Sequence, residues 1–392
     1  MQKIVLKEGK DESIKRFHPW IFSGAIFTQP SDLQNGDVVE VYNQKDEYLG
    51  TGHYHKGTIT VRIFSFRKVN PDVDFWKQKI TKSLALREAT GLYKSKHTNV
   101  FRILHGEGDG CPGLIVDYYN GVAVIQTHTK GMYLMRNTIA EALVAVMKQD
   151  ITAIYDKSEH TVGDKEEFSV KNEFLYGTSV AVEVIENNNK YLIDFVEGQK
   201  TGFFIDQRDN RLLLEQYSKS RSVLNLFCYT GGFSVAALKA GAERVVSVDS
   251  SAKAIAQVQK NIELNFTDFS HHESHTEDVF DYMQNIGKEY DTVILDPPAF
   301  AKHKDSLDRA LKGYRNINRM VMEKMKPNSI LFTFSCSQVV SKFDFRMAVF
   351  SASLLAHRQV KILHQLTQPT DHPVHICHPE GEYLKGLVLW VE

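Results

Sequence analysis

The sequence predicts an α/β chain whose C-terminal half is a doubly wound, mostly parallel sheet, preceded by a small β-barrel and an α+β module. Three observations carry this. Up to residue 70 the apolar residues alternate in short runs; from 71 to about 185 helix-length and strand-length segments mix; after Tyr217 buried-type strands alternate with helices.

GDVVEVYN, EYLGTGHYH and TITVRIFSF are β-rich runs separated by Gly and Asn/Asp turns, which gives a barrel or sandwich over residues 1–70. FWKQKITKSLALREATGL and MRNTIAEALVAVMK carry helical spacing, and between them GLIVDYYNGVAVIQTHT reads as two strands joined by an Asn-Gly hairpin. ITAIYD and SVAVEVIENNNKYLIDF add strands, with the NNN at 187–189 as a turn. In the last part, residues 186–392, SVLNLFC, ERVVSVD, YDTVILD and SILFTFS are the strands and AALKAG, SAKAIAQVQKNIELN and NRMVMEKMK the helices, with LKGLVLWVE as a closing strand.

With 392 residues, the chain is long enough for two or three domains. No apolar run approaches the roughly 18 residues of a membrane span, and MQKIVLKEGK has no apolar leader segment, so a cytoplasmic protein is expected. Cysteines 111, 228, 336 and 377 form no CxxC pair, which argues against a disulfide framework or a cysteine zinc site. A net charge of −1 excludes a globally basic nucleic-acid binder and leaves room for a local basic face.

In an open α/β sheet, ligands bind outside the carboxyl ends of the strands. The unusual residues of this chain fall there. NLFCYTGGFS places Gly231 and Gly232 at a strand-to-helix turn, with Asn225, Phe227 and Thr230 beside them as candidate cofactor contacts. The turn is neither GxGxxG nor a Walker loop, which disfavours a pyrophosphate cradle and an NAD oxidoreductase and favours a nucleoside such as S-adenosylmethionine. Asp249, with Ser250, ends the second strand where a carboxylate accepts from ribose hydroxyls; its bland role is a helix cap. EDVF places Asp278 for the adenine amino group and Val279 and Phe280 for apolar contact, and here too helix capping competes. LDPPAF ends the fourth strand: its prolines stiffen the turn and hold Asp296 at the tip, with Pro297, Pro298 and Phe300 as candidate substrate contacts.

Taken with HPWIFSGAI, KTGFFIDQRDNR, GYRNIN, FTFSCS, DHPV and PEGEYLKG, this ordered set resembles the class I S-adenosylmethionine-dependent RNA methyltransferases that carry an N-terminal PUA domain and make 5-methylcytosine in 23S rRNA. The resemblance runs from about residue 18 to 386. It implies a PUA RNA-binding domain over 1–70, a connecting domain over 71–185 and a seven-stranded, Rossmann-like methyltransferase domain over 186–392. It also implies large-subunit rRNA as partner, S-adenosylhomocysteine as product, cofactor contacts from Lys200, Phe203 and Arg208, and a family member that often pairs as a homodimer. For Arg208 and Arg211 the competing reading is a solvated or salt-bridged helix face.

Carbon 5 of cytosine is too weak a nucleophile to take a methyl group unaided, and a thiolate adding at carbon 6 makes it enamine-like. Cys336 of FTFSCS, after the strand beside Asp296, is the candidate nucleophile, and Asp296 the group that hydrogen-bonds or protonates ring nitrogen 3. The competing reading for any free cysteine is core packing, and Cys228 fits that. Ala299 stands where many 5-methylcytosine enzymes carry a second cysteine, so the acceptor of the carbon 5 proton is unassigned.

Two rival functions keep their place: a base-nitrogen methyltransferase of the guanine-N7 type, since DPPxF also resembles that motif, and a non-catalytic ribosome-assembly factor. Neither DHPVHICH nor HHESH has convincing metal spacing, so no metal is expected. Lys15 and Arg16, near His18 and Trp20, are candidate RNA contacts, set against a packed Trp20 under solvated charges.

Overall fold

The structure, a computed structural model, describes residues 1–162, 169–301 and 303–392. The chain forms two compact units. Residues 1–184, 193–205 and 370–381 make the first; 185–192, 206–369 and 382–392 make the second. Where the sequence suggested a single boundary after 185, the chain therefore passes between the units five times.

The first unit holds two sheets. Strands Gln2–Leu6, Trp20–Phe22, Ile26–Thr28, Val38–Tyr42, Tyr48–Tyr54 and Ile59–Ser65 form a six-stranded mixed sheet over a core that includes Ile4, Val39, Val41 and Ile63. A five-stranded sheet follows, Val100–His105, Leu114–Tyr119, Val122–Thr127, Ala153–Asp156 and Glu173–Tyr176, with helices Val73–Ala89 and Arg136–Met147. Its expected hairpin turn is at Asn120 and Gly121, both at positive φ (43° and 101°), as Asn-Gly turns require. Asn187 and Asn188 turn the Val182–Glu186 and Asn189–Ile193 hairpin in the same way.

The segment 370–381 docks within this first unit through Asp371. Its carboxylate accepts from the Arg102 amide (2.9 Å), and its carbonyl from the buried Arg87, which also makes a bidentate pair with Asp109 (2.6 and 2.7 Å).

The second unit is a seven-stranded sheet: β1 Ser222–Leu226, β2 Arg244–Asp249, β3 His272–Thr276, β4 Thr292–Leu295, β5 Ser329–Ser335, β6 Val360–Leu366 and β7 Lys385–Val391, in the order β3-β2-β1-β4-β5-β7-β6. Pairs from β3 through β5 are parallel, and β7 runs antiparallel to both neighbours. Helices α1 Arg208–Glu215, α2 Gly232–Lys239, α3 Ala252–Asn265, α4 Val279–Asn285, α5 Leu307–Lys324 and α6 Lys342–Leu355 connect them.

Alternate strand residues divide between two apolar layers. Leu224, Leu226, Val246, Leu295 and Leu331 face a cluster with α4, α5 and α6, while Val223, Val245, Ile294, Ile330 and Phe332 face one with α1 and α2. Burial on both faces explains why these strands read as near-continuous apolar runs. The order reverses between β1 and β4, so the crevice for a ligand opens at their carboxyl ends. Among the described residues, no helix is long and apolar enough to cross a membrane.

Candidate active site

The turn after β1 is wound tightly. Phe227, Tyr229 and Gly231 have φ of 57°, 46° and 78°, a region that costs a non-glycine residue about 1–3 kcal/mol and that recurs at ligand sites. Three contacts hold it. The Tyr229 amide donates to Asp249 Oδ2 at 3.0 Å, the Thr230 carbonyl accepts from Asn261 Nδ2 at 2.8 Å, and the Gly232 carbonyl accepts from the Tyr191 hydroxyl at 3.2 Å. Glycine is required at Gly231 by its φ and because an added Cβ would lie 3.0 Å from Val258; at Gly232 a Cβ would meet Arg211 at 3.1 Å.

Arg211 is buried in a bidentate pair with Glu186 (2.6 and 2.8 Å). The salt-bridged reading of this arginine is the right one, and the pair is internal rather than solvated.

At the end of β2, Asp249 Oδ1 also accepts from the Ser251 amide at 2.9 Å, and Ser251 itself caps α3. A carboxylate offers about four lone-pair sites, so two backbone bonds leave room for hydroxyl donors. Ser250 is exposed beside it. After β3, Asp278 caps α4 by accepting from Phe280 and Asp281, and its side chain is exposed. Two of the expected contacts are corrected here. Val279 is 2% exposed and belongs to the core, which leaves Phe280, 37% exposed, as the apolar surface. Asn225 is also internal: its amide donates to Ser234 Oγ at 2.9 Å, starting a chain through Ser247 to His272 that ties β1 to α2 and the sheet edge.

Asp296 is at the tip of β4 and half-buried. Gln207 Nε2 donates to its Oδ2 at 3.0 Å, and Asn210 Nδ2 donates to Gln207 Oε1 at 2.6 Å. The DQRDN stretch thus positions Asp296 through Gln207 and Asn210, which sequence reading passed over in favour of Arg208. Spacing was the available signal, since Gln207 and Asn210 are three apart at the start of α1 and share a face. Arg208 is 2% exposed, with its Nε 3.3 Å from Asp209 Oδ1. In the DPPAF turn Pro297 is buried, Pro298 exposed, and Phe300 is half-buried and packs on Tyr314 of α5 with ring centroids 4.6 Å apart.

Cys336 is one residue past β5 and half-buried. The parallel register puts Leu295 opposite Thr333, hence Asp296 level with Phe334, and Cys336 two residues, about 7 Å, further along the neighbouring strand. The following residue anchors this turn: Ser337 Oγ bonds the Tyr314 hydroxyl at 2.8 Å, and the Ser337 carbonyl accepts from Lys385 Nζ at 2.6 Å. Cys228, by contrast, is 6% exposed, and burial pushes its thiol well up.

A family model for S-adenosylmethionine-dependent methyltransferases matches residues 101–373, and a model for a PUA-like domain matches 4–66. The chain belongs to the S-adenosylmethionine-dependent methyltransferase family. Ribosomal RNA large subunit methyltransferase I from Shewanella denitrificans is 38% identical to it over 98% of each chain. A solved structure from Streptococcus mutans, assigned as an S-adenosylmethionine-dependent methyltransferase, covers all of both chains at 25% identity and a TM-score of 0.84. SMU.776, assigned as a methyltransferase and complexed with S-adenosylhomocysteine, covers both chains fully at 24% identity and a TM-score of 0.85.

S-adenosylmethionine is the cofactor of this methyltransferase, and the residues fit it. Successive strand ends present the wound glycine turn, the spare lone pairs of Asp249, the exposed Ser250 and Asp278 and the half-open Phe280. When bound, the cofactor supplies an electrophilic methyl group.

In the first unit, Lys200 and Phe203 belong to a segment tied down by Thr201, whose hydroxyl donates to Asp117 at 2.6 Å and accepts from Tyr119 at 3.0 Å. Phe203 is buried, while Lys200 is exposed with its Nζ over the Phe204 ring. Lys15 and Arg16 are exposed but paired, with Asp11 (2.7 Å) and Glu12 (3.8 Å). Trp20 donates from its indole to Glu107 at 2.9 Å and packs edge-on against His378, so it is no open stacking surface. Among the described residues, three metal-type donors converge once, at His18, His378 and Glu380, within 4.8 Å of one another.

Proposed function

We propose that this chain forms 5-methylcytosine in 23S rRNA through a covalent Cys336 adduct. The observation that carries the reading is the pairing of two adjacent parallel strand tips, one ending in a half-buried cysteine and the other in a carboxylate held by Gln207. In this reading the Cys336 thiolate adds to carbon 6 of the base. Asp296, carrying a proton, donates it in a hydrogen bond to ring nitrogen 3 as negative charge builds there, and carbon 5 then takes the methyl group. Loss of the carbon 5 proton lets the thiolate leave and restores the ring. The relatives named for large-subunit ribosomal RNA support this substrate, and a cytoplasmic site of action goes with it.

Nucleoside mass spectrometry of large-subunit RNA incubated with the protein and S-adenosylmethionine tests the reading. The expected product is 5-methylcytidine. A 7-methylguanosine product would move the chain to nitrogen methylation, and no methyl transfer with no saturable cofactor heat would leave only an RNA-binding factor.

We assign RNA binding to residues 1–70 and 71–185 and chemistry to 186–392. The RNA face proposed for the first unit is a cleft of about 520 Å³ lined by Phe17, Phe66 and Phe75 and by Arg67, Lys79 and Lys82. Phe17 is 54% exposed, and aromatic faces interleaved with cations are what stacked bases and phosphates require. Replacing Arg67 and Lys82 together by alanine is expected to weaken RNA binding about tenfold and to flatten its salt dependence by about two phosphate contacts. Filter binding across a salt series measures both; an unchanged slope would exclude this face.

A homodimer is proposed through α6, whose Phe343, Met347, Phe350 and Leu354 repeat at helical spacing and are 41–71% exposed. Phe350→Glu is expected to halve the solution mass in light scattering. A monomeric parent protein would rule out the dimer.

A further inference from the structure

We propose that Lys385 is the counter-ion that keeps Cys336 ionised between turnovers, taking the thiol proton onto its amine. This rests on the reading of Cys336 as nucleophile. The proton inventory is closed: the S–H bond breaks, an N–H bond forms, and a thiolate–ammonium pair replaces a thiol–amine pair with no change in net charge.

The geometry is set by β7. Its first residue, Lys385, pairs across the antiparallel ladder with Ser335, the last residue of β5, one position before Cys336. The lysine is 3% exposed, and its Nζ donates to the Ser337 carbonyl at 2.6 Å, one position after Cys336. It therefore brackets the cysteine from both sides. A lysine so rarely sits inside a fold that its burial at this point calls for a charge partner.

The groups facing it are few. Cys336 and Glu382 favour the ammonium and Lys342 opposes it, while Tyr314 meets the same turn at Ser335 and Ser337 and faces Cys336. Burial dominates and brings the lysine down to about 8, and a negative charge on Cys336 acts against that burial by favouring the ammonium. Sequence reading placed this residue in the PEGEYLKG segment and the closing strand without giving it a role.

The probe is iodoacetamide, which reads the thiolate fraction of Cys336 without RNA or cofactor. Cys377 is replaced by serine, and Cys111 and Cys228 are silent because burial holds both thiols high, Cys111 at about 12. Lys385→Met is expected to slow Cys336 alkylation about tenfold at pH 7 and to raise its pH midpoint by about one unit, and Lys385→Arg to restore the parent profile. Superimposable profiles for parent and Lys385→Met would overturn the assignment.

A second measurement needs no lysine variant. The ultraviolet thiolate absorbance of the parent minus Cys336→Ala is expected to titrate below the ordinary cysteine value of about 8.5, and a midpoint at or above it contradicts the pair. If Cys336→Ala retains methyl transfer, the nucleophile reading fails instead, whatever the alkylation shows.

Discussion

Cys336→Ala is expected to abolish methyl transfer, with turnover reduced by more than about a thousandfold, because without addition at carbon 6 the base has no carbon nucleophile to offer. RNA carrying 5-fluorocytosine should trap the parent protein as a covalent complex stable to denaturing electrophoresis, since fluorine cannot leave carbon 5 as a proton does. The variant should form none. Cofactor binding, measured by titration calorimetry, should be preserved, because the glycine turn and Asp249 are on other strands. Full activity in Cys336→Ala would end the covalent mechanism and favour a nitrogen acceptor. Cys228→Ala serves as the control: a buried thiol inside the turn after β1 is expected to affect stability and leave adduct formation intact.

The second large effect is at Asp296. Asp296→Asn keeps the shape and can still accept from Gln207, yet removes the acidic proton facing the base. A fall in kcat of about 10²–10⁴ is expected. Gln207→Ala should cost less, about 10–100-fold, by loosening a hydrogen bond to a charged group worth about 1.5–3 kcal/mol. The split between kcat and KM decides the role. If Asp296→Asn raises only the KM for S-adenosylmethionine, the carboxylate is a cofactor contact and the base must be steadied from elsewhere.

Both predictions depend on strand tips, and the strand tips were the most legible part of the sequence. Buried parallel strands need apolar residues on two faces, so SVLNLFC, YDTVILD and SILFTFS stand out, and polar residues directly after such runs must lie at the sheet's edge. Asp249 and Asp296 were singled out that way, and Cys336 by its place after such a run together with the family resemblance. The Tyr119–Val122 and Glu186–Asn189 turns were equally legible, since Asn and Gly adopt the positive φ there at least cost.

Other elements were not. Strand β6, VKILHQL, and helix α6 leave large apolar side chains exposed, so their patterns do not announce a buried face. Among the site residues, Asn225, one position inside the end of β1, and Val279, the first residue of α4, turn inward, and nothing in a single sequence distinguishes the two directions. Arg208 drew attention through the family resemblance, whereas the uncharged Gln207 and Asn210 hold Asp296. The pair from Arg211 to Glu186 joins residues 25 apart, and one from Lys385 to Ser337 joins residues 48 apart; neither separation leaves a periodic trace.

The sequence by itself determined the class of fold, the family, the cofactor and the pair of strand tips, because these follow from local patterning and from short motifs at strand ends. Tertiary structure alone decided which polar groups meet: that Gln207 holds Asp296, that Arg211 braces the glycine turn, and that a lysine from the last strand is buried beside the cysteine turn. Burial makes an unpaired polar group costly and a paired one specific, and burial is a property of the assembled chain.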